Sequence, residues 1–387
     1  MTSLANELQA DRAALSHTVE RFARNEIAPH VTAWDAAGEF PRSLYRRAGE
    51  LGLLGLGYPE AYGGTPAPYA MRMDLWLALC RHGASGGVFA SLLSHNIGLP
   101  PVLAQGSEAV RSEVIPPVLA GEQIVALAIT EPAGGSDVAQ LATTARRDGD
   151  NYVVNGEKVF ITSGMRADWI TVAVRNGEAG ARGASGISML LVPGQSAGLS
   201  RTRLDKMGWL CSDTAHLRFN DVRVPARYLL GEEGSGFRTI MANFNTERLR
   251  IAVASLGFSQ ACYDEALAWA RQRKTFGSTL VGHQAVRHKL VDMQMRIQST
   301  AAWAEALAAR ADAGDLGADW VAQVCVLKNH ATQTMQFCAD QAVQILGGMG
   351  YMRGTVSERI YREVKVMMIG GGAEDIMKDL AARQWGL

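Results

Sequence analysis

The chain has 387 residues, too many for one small core, so two or three lobes are expected. Hydrophobic residues make up 48% and charged residues 20%, the composition of an ordinary globular protein. The 38 basic residues balance 38 acidic ones, which removes any overall field that would draw the molecule to nucleic acid or an anionic membrane.

Residues 11–34 read as one amphipathic helix, with Val19, Phe22, Ile27, Val31 and Trp34 on its apolar side. SLYRRAGELGLLG and DLWLALCRHGA repeat apolar residues at helical spacing, and the turn-rich YPEAYGGTPAP at 58–68 separates them. Near Ile124 the period drops to two. NYVVNGEKVFIT reads as two alternating runs about Asn155-Gly156, a strong hairpin signal. DWITVAVR, GISMLLVP and TAHLRFNDVRVP continue in the β style. From Gly236 the helical period returns, with a long helix over 237–273 and further helices within 283–313, 317–346 and 373–385. The expected class is α+β in three parts: a helical domain at 1–123, a β domain at 124–235 and a helical bundle at 236–387.

The opening has no apolar signal core, no apolar run reads as long enough to span a bilayer, and Asp and Glu near the start argue against a transit peptide. Five scattered cysteines with no CxxC pair argue against disulfides or a zinc site and suit a reducing compartment. A cytoplasmic protein without membrane insertion is expected.

Generic motifs fail. GASGG at 83–87 matches a nucleophile elbow only in letters, because its flanks read as helix. GGMGYMRG follows a helix and misses the dinucleotide spacing. The eight histidines form no HExxH cluster, so no metal is expected.

Three segments carry more. AITEPAGGSD at 128–137 has the small residues that let backbone amides approach a flavin edge or a pyrophosphate, although such loops are more often plain turns. In Lys158-Val159-Phe160-Ile161-Thr162, strand alternation puts Phe160 and Thr162 on one face. A ring beside a hydroxyl suits a flat heteroaromatic cofactor, but an ordinary exposed Thr beside a half-buried Phe fits equally simple rules. On the long helix, Ile240, Phe244, Glu247 and Ile251 form one apolar stripe with a carboxylate inside it. Loss of hydration there would raise the pKa of Glu247 toward that of a usable base. Pairing with Arg248 or Arg250 at the margin of the stripe is the competing reading, and the helix alone leaves the two even.

Together these segments resemble the acyl-CoA dehydrogenase family over nearly the whole chain. ITEPAGGSDVA and QILGGMGYMRGTVSERIYREVK are similar to its two signatures, with NGEKVFITSG, SDTAHLRFNDVRVPARYLLGEEGSGF and RQRKTFGSTLVGHQAV between them in order. The resemblance implies a helical domain, a middle β-barrel domain and a C-terminal four-helix bundle, assembled as a homotetramer. It implies FAD between the middle and C-terminal domains, with Thr130 and Ser136 along it, Phe160 packing on the ring and Thr162 bonding N5. Arg273, Thr275, Phe276, Gln284, Gln344 and Gly348 fall in motifs that contact FAD across a subunit interface.

The departures are informative. Much of the family keeps its catalytic glutamate in a Tyr-Glu-Gly-Thr segment. Here that segment is Ile369-Gly370-Gly371-Gly372-Ala373, with Gly371 at the carboxylate's position. A subgroup similar to the long-chain and isovaleryl enzymes carries the base in a Glu-Arg pair early in the long helix, and Glu247-Arg248 matches it. The resemblance therefore implies Glu247 as the base that takes the α-proton while the β-hydrogen leaves as hydride to the flavin. The Gly371 amide serves the thioester oxygen, and Ser136 and Arg248 stand on the substrate side. The rival bases Glu374 and Asp375 read as first-turn helix acids. Gln140 and Gly354 depart from the signatures without removing a catalytic group.

FASLLSHNIG resembles a helix lining the acyl pocket, where the small Ala90, Ser91 and Ser94 favour a medium or long chain or merely permit close helix packing. The implied activity is desaturation of an acyl-CoA to its trans-2-enoyl thioester, as in β-oxidation, with electrons passed to an electron-transferring flavoprotein. Alternatives within the fold are an oxidase, a monooxygenase or a carrier-protein-linked dehydrogenase. A non-catalytic flavin or thioester binder is the alternative of another class.

Overall fold

The computed structural model describes residues 2–176 and 183–387. Helices come first: α1 (Thr2–Phe22), α2 (Val31–Ala37), α3 (Ser43–Glu50), α4 (Tyr69–Gly83), α5 (Gly86–Leu92), α6 (His95–Gln105) and α7 (Glu108–Leu119). The single helix expected over 11–34 is broken. After Phe22 the chain makes a π turn, Ala23–Ile27, closed by Ala28 N–H on the Ala23 carbonyl at 2.9 Å. Pro29 then follows without an N–H to continue the ladder. Val19, Phe22, Ile27 and Val31 are nevertheless buried and Trp34 packs against them, so the apolar face survives the break.

The strands are β1 (Val125–Ala128), β2 (Thr144–Asp148), β3 (Asn151–Thr162), β4 (Trp169–Arg175), β5 (Ile187–Pro193), β6 (Leu199–Arg203), β7 (Thr214–Pro225) and β8 (Leu229–Leu230). Among the described residues they form one sheet in the order β6-β7-β3-β2-β4-β5-β8, with β1 added in parallel beside β4. The hairpin expected at Asn155-Gly156 does not form. β3 runs through that pair, and the turn lies one step earlier, at Gly149-Asp150, where Asp148 of β2 faces Asn151 of β3. Gly156 serves a bulge instead: the register against β7 shifts there, its φ is +139°, and a Cβ would stand 2.7 Å from the Thr143 Cα.

The rest is helical: α8 (Gly236–Gln272), a short ribbon of β9 (Lys274–Thr275) and β10 (Ser278–Thr279), then α9 (Gln284–Asp312), α10 (Ala318–Leu346), α11 (Gly348–Tyr351), α12 (Val356–Ile369) and α13 (Glu374–Trp385). α12 is additional to the helices read from sequence, though Ile360, Val364 and Met367 repeat at helical spacing and are all buried. Thr355 caps it by accepting from the Glu358 N–H at 3.3 Å.

Two large apolar cores organise these elements, and a small third one packs α13 on α10 through Ala322, Cys325, Met377 and Ala381. One joins α1–α5 to α8, α9, α10 and α12, so helices from both ends of the chain share it. The other fills the sheet and takes in α6, α7 and Ile240 at the start of α8. One correction concerns the membrane: Gly86–Gln105 is long and apolar enough to span one by length and composition. Yet 72% of its apolar window is buried inside the protein, and it is two helices packed in the core.

Gly156→Ala should destabilise the protein by at least about 1–3 kcal/mol, the usual cost of forcing a side chain into a glycine-only backbone region. A thermal unfolding midpoint equal to that of the parent chain would overturn the close-approach role given to Gly156.

Candidate active site

Glu247 sits on α8 within the stripe Ile240, Phe244 and Ile251. The residue as a whole is half-buried. Burial raises its pKa above the ordinary carboxylate value, against the opposing pull of Arg250, Arg248 and Lys328. Among the described residues it makes no ion pair or hydrogen bond, because the neighbouring arginines are engaged elsewhere. Arg248 donates from Nε to the Gly371 carbonyl at 3.1 Å and from Nη1 to Asn245 Oδ1 at 2.9 Å. Arg250 donates from Nη1 to the Leu93 carbonyl at 3.0 Å.

The glycine run between α12 and α13 is pressed against this part of α8. Gly371 has φ +68°, and a Cβ there would lie 2.7 Å from Ile251 Cδ1. Lys328, a residue that the sequence reading passed over, is fully buried on α10. Its Nζ donates to the Met368 carbonyl at 2.7 Å and the Gly372 carbonyl at 2.8 Å, so it grips the run on both sides of Gly371. Burial lowers its pKa to about 8, which leaves it mostly protonated at neutral pH. Helical spacing showed that α10 was amphipathic but gave no sign that one of its lysines points inward. Glu374 and Asp375 open α13 in its first turn, and Glu374 is tied to Lys378 at 2.8 Å.

A second group of predicted residues lies along β3. Phe160 is 69% exposed and adopts φ +62°, while Val159 and Ile161 are buried and Thr162 is half-buried. A register shift between Lys158 and Ile161 marks a bulge. A large non-glycine residue held at positive φ with its ring outward is the kind of strain found at ligand sites. Thr130 is drawn alongside, its carbonyl accepting from the Val159 N–H at 2.9 Å. Ser136 is exposed in the same loop.

The loop is anchored by a buried pair absent from the sequence reading: Lys158 Nζ meets Glu131 Oε1 at 2.8 Å and the Ile129 carbonyl at 2.9 Å. Burial pushes the Glu131 carboxyl up, but Lys158 and the amides of Ala142 and Thr143 outweigh it and leave the pKa below the ordinary value. An open ring, a neighbouring hydroxyl and an anchored glycine loop fit a flavin.

The third group stands apart. Arg273, Phe276, Gln284, Gln344 and Gly348 are exposed, Thr275 is half-buried, and Phe276 is 98% exposed with φ +50°. The chain direction puts the end of α8, the start of α9 and the end of α10 at one end of the bundle. Lys289 on α9 meets Gln341 on α10 at 2.6 Å there. At about 1.5 Å per residue, Arg273 is about 39 Å along α8 from Glu247.

The segment expected to line the acyl pocket is not one helix, because it breaks between α5 and α6 at Leu93-Ser94. Ala90, Ser91 and Ser94 are buried. Ser91 shares a hydrogen bond with Ser212 at 2.7 Å, and Ser94 donates to the Val125 carbonyl at 2.9 Å. Both hydroxyls join this segment to the middle of the chain.

Comparison with known proteins agrees in every part of the chain. Residues 9–122, 126–222 and 234–386 match the N-terminal, middle and C-terminal domain models of acyl-CoA dehydrogenase. A probable acyl-CoA dehydrogenase of Bacillus subtilis is 35% identical over 98% of each chain. The mitochondrial long-chain specific acyl-CoA dehydrogenase of Sus scrofa is 37% identical over 95% of this chain and 84% of its own. The crystal structure of a probable acyl-CoA dehydrogenase from Mycobacterium abscessus superposes with a TM-score of 0.94 at 46% identity, covering 97% of this chain and 99% of that one. The chain belongs to the acyl-CoA dehydrogenase family. It is an FAD-dependent enzyme acting on the CH–CH group of an acyl-CoA.

Lys328→Met should lower the rate of flavin reduction by at least about 10-fold, the effect of disturbing a positioned donor, with FAD content unchanged. Removing a cation near Glu247 should also move the acid limb of the pH profile upward. A wild-type rate and an unmoved profile in stopped-flow measurements would refute the grip on the glycine run.

Proposed function

We propose that Glu247 is the catalytic base, and the observation that carries the reading is a half-buried glutamate with an unpaired carboxylate and a raised pKa beside the Gly371 run. In this reading Glu247 removes the α-proton of the acyl thioester. The Gly371 amide, held in place by Lys328 and Arg248, supports the thioester oxygen as negative charge develops. A fixed backbone donor of this kind is commonly worth about 3 kcal/mol, or two orders of magnitude in rate. Bound FAD supplies the two-electron acceptor. Thr130, Ser136, Phe160 and Thr162 hold it in the same chain, with Phe160 packing on the ring and Thr162 bonding to it. The product is the trans-2-enoyl-CoA, the first step of a β-oxidation cycle.

The residues around Arg273 are too distant along α8 to share that flavin within one chain, which supports their reaching a neighbouring subunit's FAD in a homotetramer. An electron-transferring flavoprotein as acceptor rests on the family resemblance, as does a cytoplasmic setting on composition. Slow reoxidation of the reduced flavin in air fits that acceptor, and fast reoxidation would make the enzyme an oxidase.

Glu247→Gln should keep FAD but lose bleaching by acyl-CoA, and near-normal anaerobic bleaching would remove Glu247 from the mechanism. Because the base acts deprotonated and its pKa is raised, the acid limb of the wild-type profile should lie above the ordinary carboxylate range. Arg273→Ala should release FAD without altering the helix content of the subunit. Retention of FAD after gel filtration would argue against a site completed across subunits.

A further inference from the structure

The interior around Glu247 holds more positive charge than its own carboxylate balances. Arg250, one helical turn beyond Glu247 on α8, is only 5% exposed. Its guanidinium lies over the Phe89 ring, 5.1 Å from the centroid. Beyond its bond to the Leu93 carbonyl, its Nε is buried with no partner. Arg72 on α4 approaches the same region over the rings of Tyr69 and Trp76, at 4.7 and 5.3 Å, and its Nε is likewise buried and unpartnered.

The groups facing Arg250 are Glu247, Cys80, Tyr58 and Arg72. Burial pushes the Cys80 thiol and the Tyr58 phenol well above their ordinary ranges, so both are neutral. His95, packed on Tyr58, is kept neutral by burial, with a pKa of about 3. Asp74, the acid on α4, is taken by Arg12 at 2.7 Å. Arg248 and Lys328 face Glu247 from other directions, but Lys328 donates to the Met368 and Gly372 carbonyls and Arg248 to the Gly371 carbonyl and Asn245 Oδ1. Among the described residues, Glu247 is thus the only carboxylate felt by Arg250, and it forms no ion pair with it. A buried cation whose neighbouring carboxylate does not pair with it directly is costly, and a ligand anion would lower that cost.

The position indicates which anion. Arg250 touches Phe89 and Leu93, which directly precede Ala90 and Ser94, the residues expected beside the acyl chain. It therefore borders the segment that resembles the wall of the acyl pocket. We propose that the substrate is a short acyl-CoA bearing a carboxylate at the end remote from the thioester, and that Arg250 selects it; the proposal rests on Glu247 being the base. The rise of about 4.5 Å along α8 between Glu247 and Arg250 suits an acyl group of a few carbons. A long unbranched chain would have to place methylene groups against the guanidinium.

The test uses the purified wild-type holoenzyme and length-matched pairs: adipyl-CoA against hexanoyl-CoA, and glutaryl-CoA against valeryl-CoA, followed by flavin bleaching and dye reduction. The carboxylated member of each pair should be preferred by at least about 10-fold in kcat/KM. Arg250→Met should abolish that preference, a loss of at least about 10-fold on removing one partner of a buried charge pair, while Arg250→Lys keeps its direction. Because any change in the base acts on both members alike, the ratio isolates recognition of the carboxylate. Faster turnover of the neutral members by the wild type, or an unchanged ratio in Arg250→Met, overturns the proposal. If Arg250→Met does not fold, the wild-type pairs still decide. Bleaching by neutral chains alone, abolished in Glu247→Gln, removes this proposal and leaves the base assignment standing. Bleaching by no acyl-CoA removes both.

Discussion

A carboxylate that serves as a base must lose water on most sides without acquiring a fixed cation as a partner. Either full solvation or a tight ion pair would hold its pKa low. The packing of α8 meets both conditions at Glu247. Ile240, Phe244 and Ile251 keep water from the helix face, while Arg248 and Arg250 are drawn to the carbonyls of Gly371 and Leu93. Those same bonds fix the glycine run and the α5–α6 junction. The groups that keep Glu247 unpaired are thus the ones that shape the space in front of it.

The length of α8 sets the scale of the rest. Its 37 residues extend about 55 Å, from the sheet core at Ile240 into the core shared by the first and last helices. Rigidity follows from burial in two cores, and so does separation: the exposed Phe276 and its neighbours lie far along the chain's own α8 from Glu247. A large apolar side chain left almost wholly in water is costly, and that cost favours association with another chain at this end.

Much of this was legible because period and chemistry coincide. α8, α9 and α10 repeat apolar residues over many turns, and a lone acid inside such a stripe stands out. Phe160 is exposed and Thr162 half-buried between buried neighbours, although the bulge falls at Phe160 itself. The failures came where one residue type has two uses. Gly156 looks like a turn but allows β3 to lie against Thr143, while the actual turn, at Gly149-Asp150, lies just before β3. The burial of Lys158, Lys328 and Arg250 was not legible, because nothing in their local spacing reveals that a helix or strand from elsewhere will cover them. Their burial is a tertiary fact, and so is the charge imbalance around Glu247.

The same packing explains why the carboxylate sits on α8 and the glycine in the loop. A side chain at position 371 would need a left-handed backbone at φ +68° and would meet Ile251 Cδ1 at 2.7 Å. Ile251 follows Glu247 by four residues, on the same face of α8. Moving it aside would open the apolar wall that desolvates Glu247. With Lys328 and Arg248 fixing the loop through its carbonyls, the run has little freedom to move away instead. Glycine at 371 and glutamate at 247 are therefore one packing solution: the loop contributes backbone, and the helix contributes the acid.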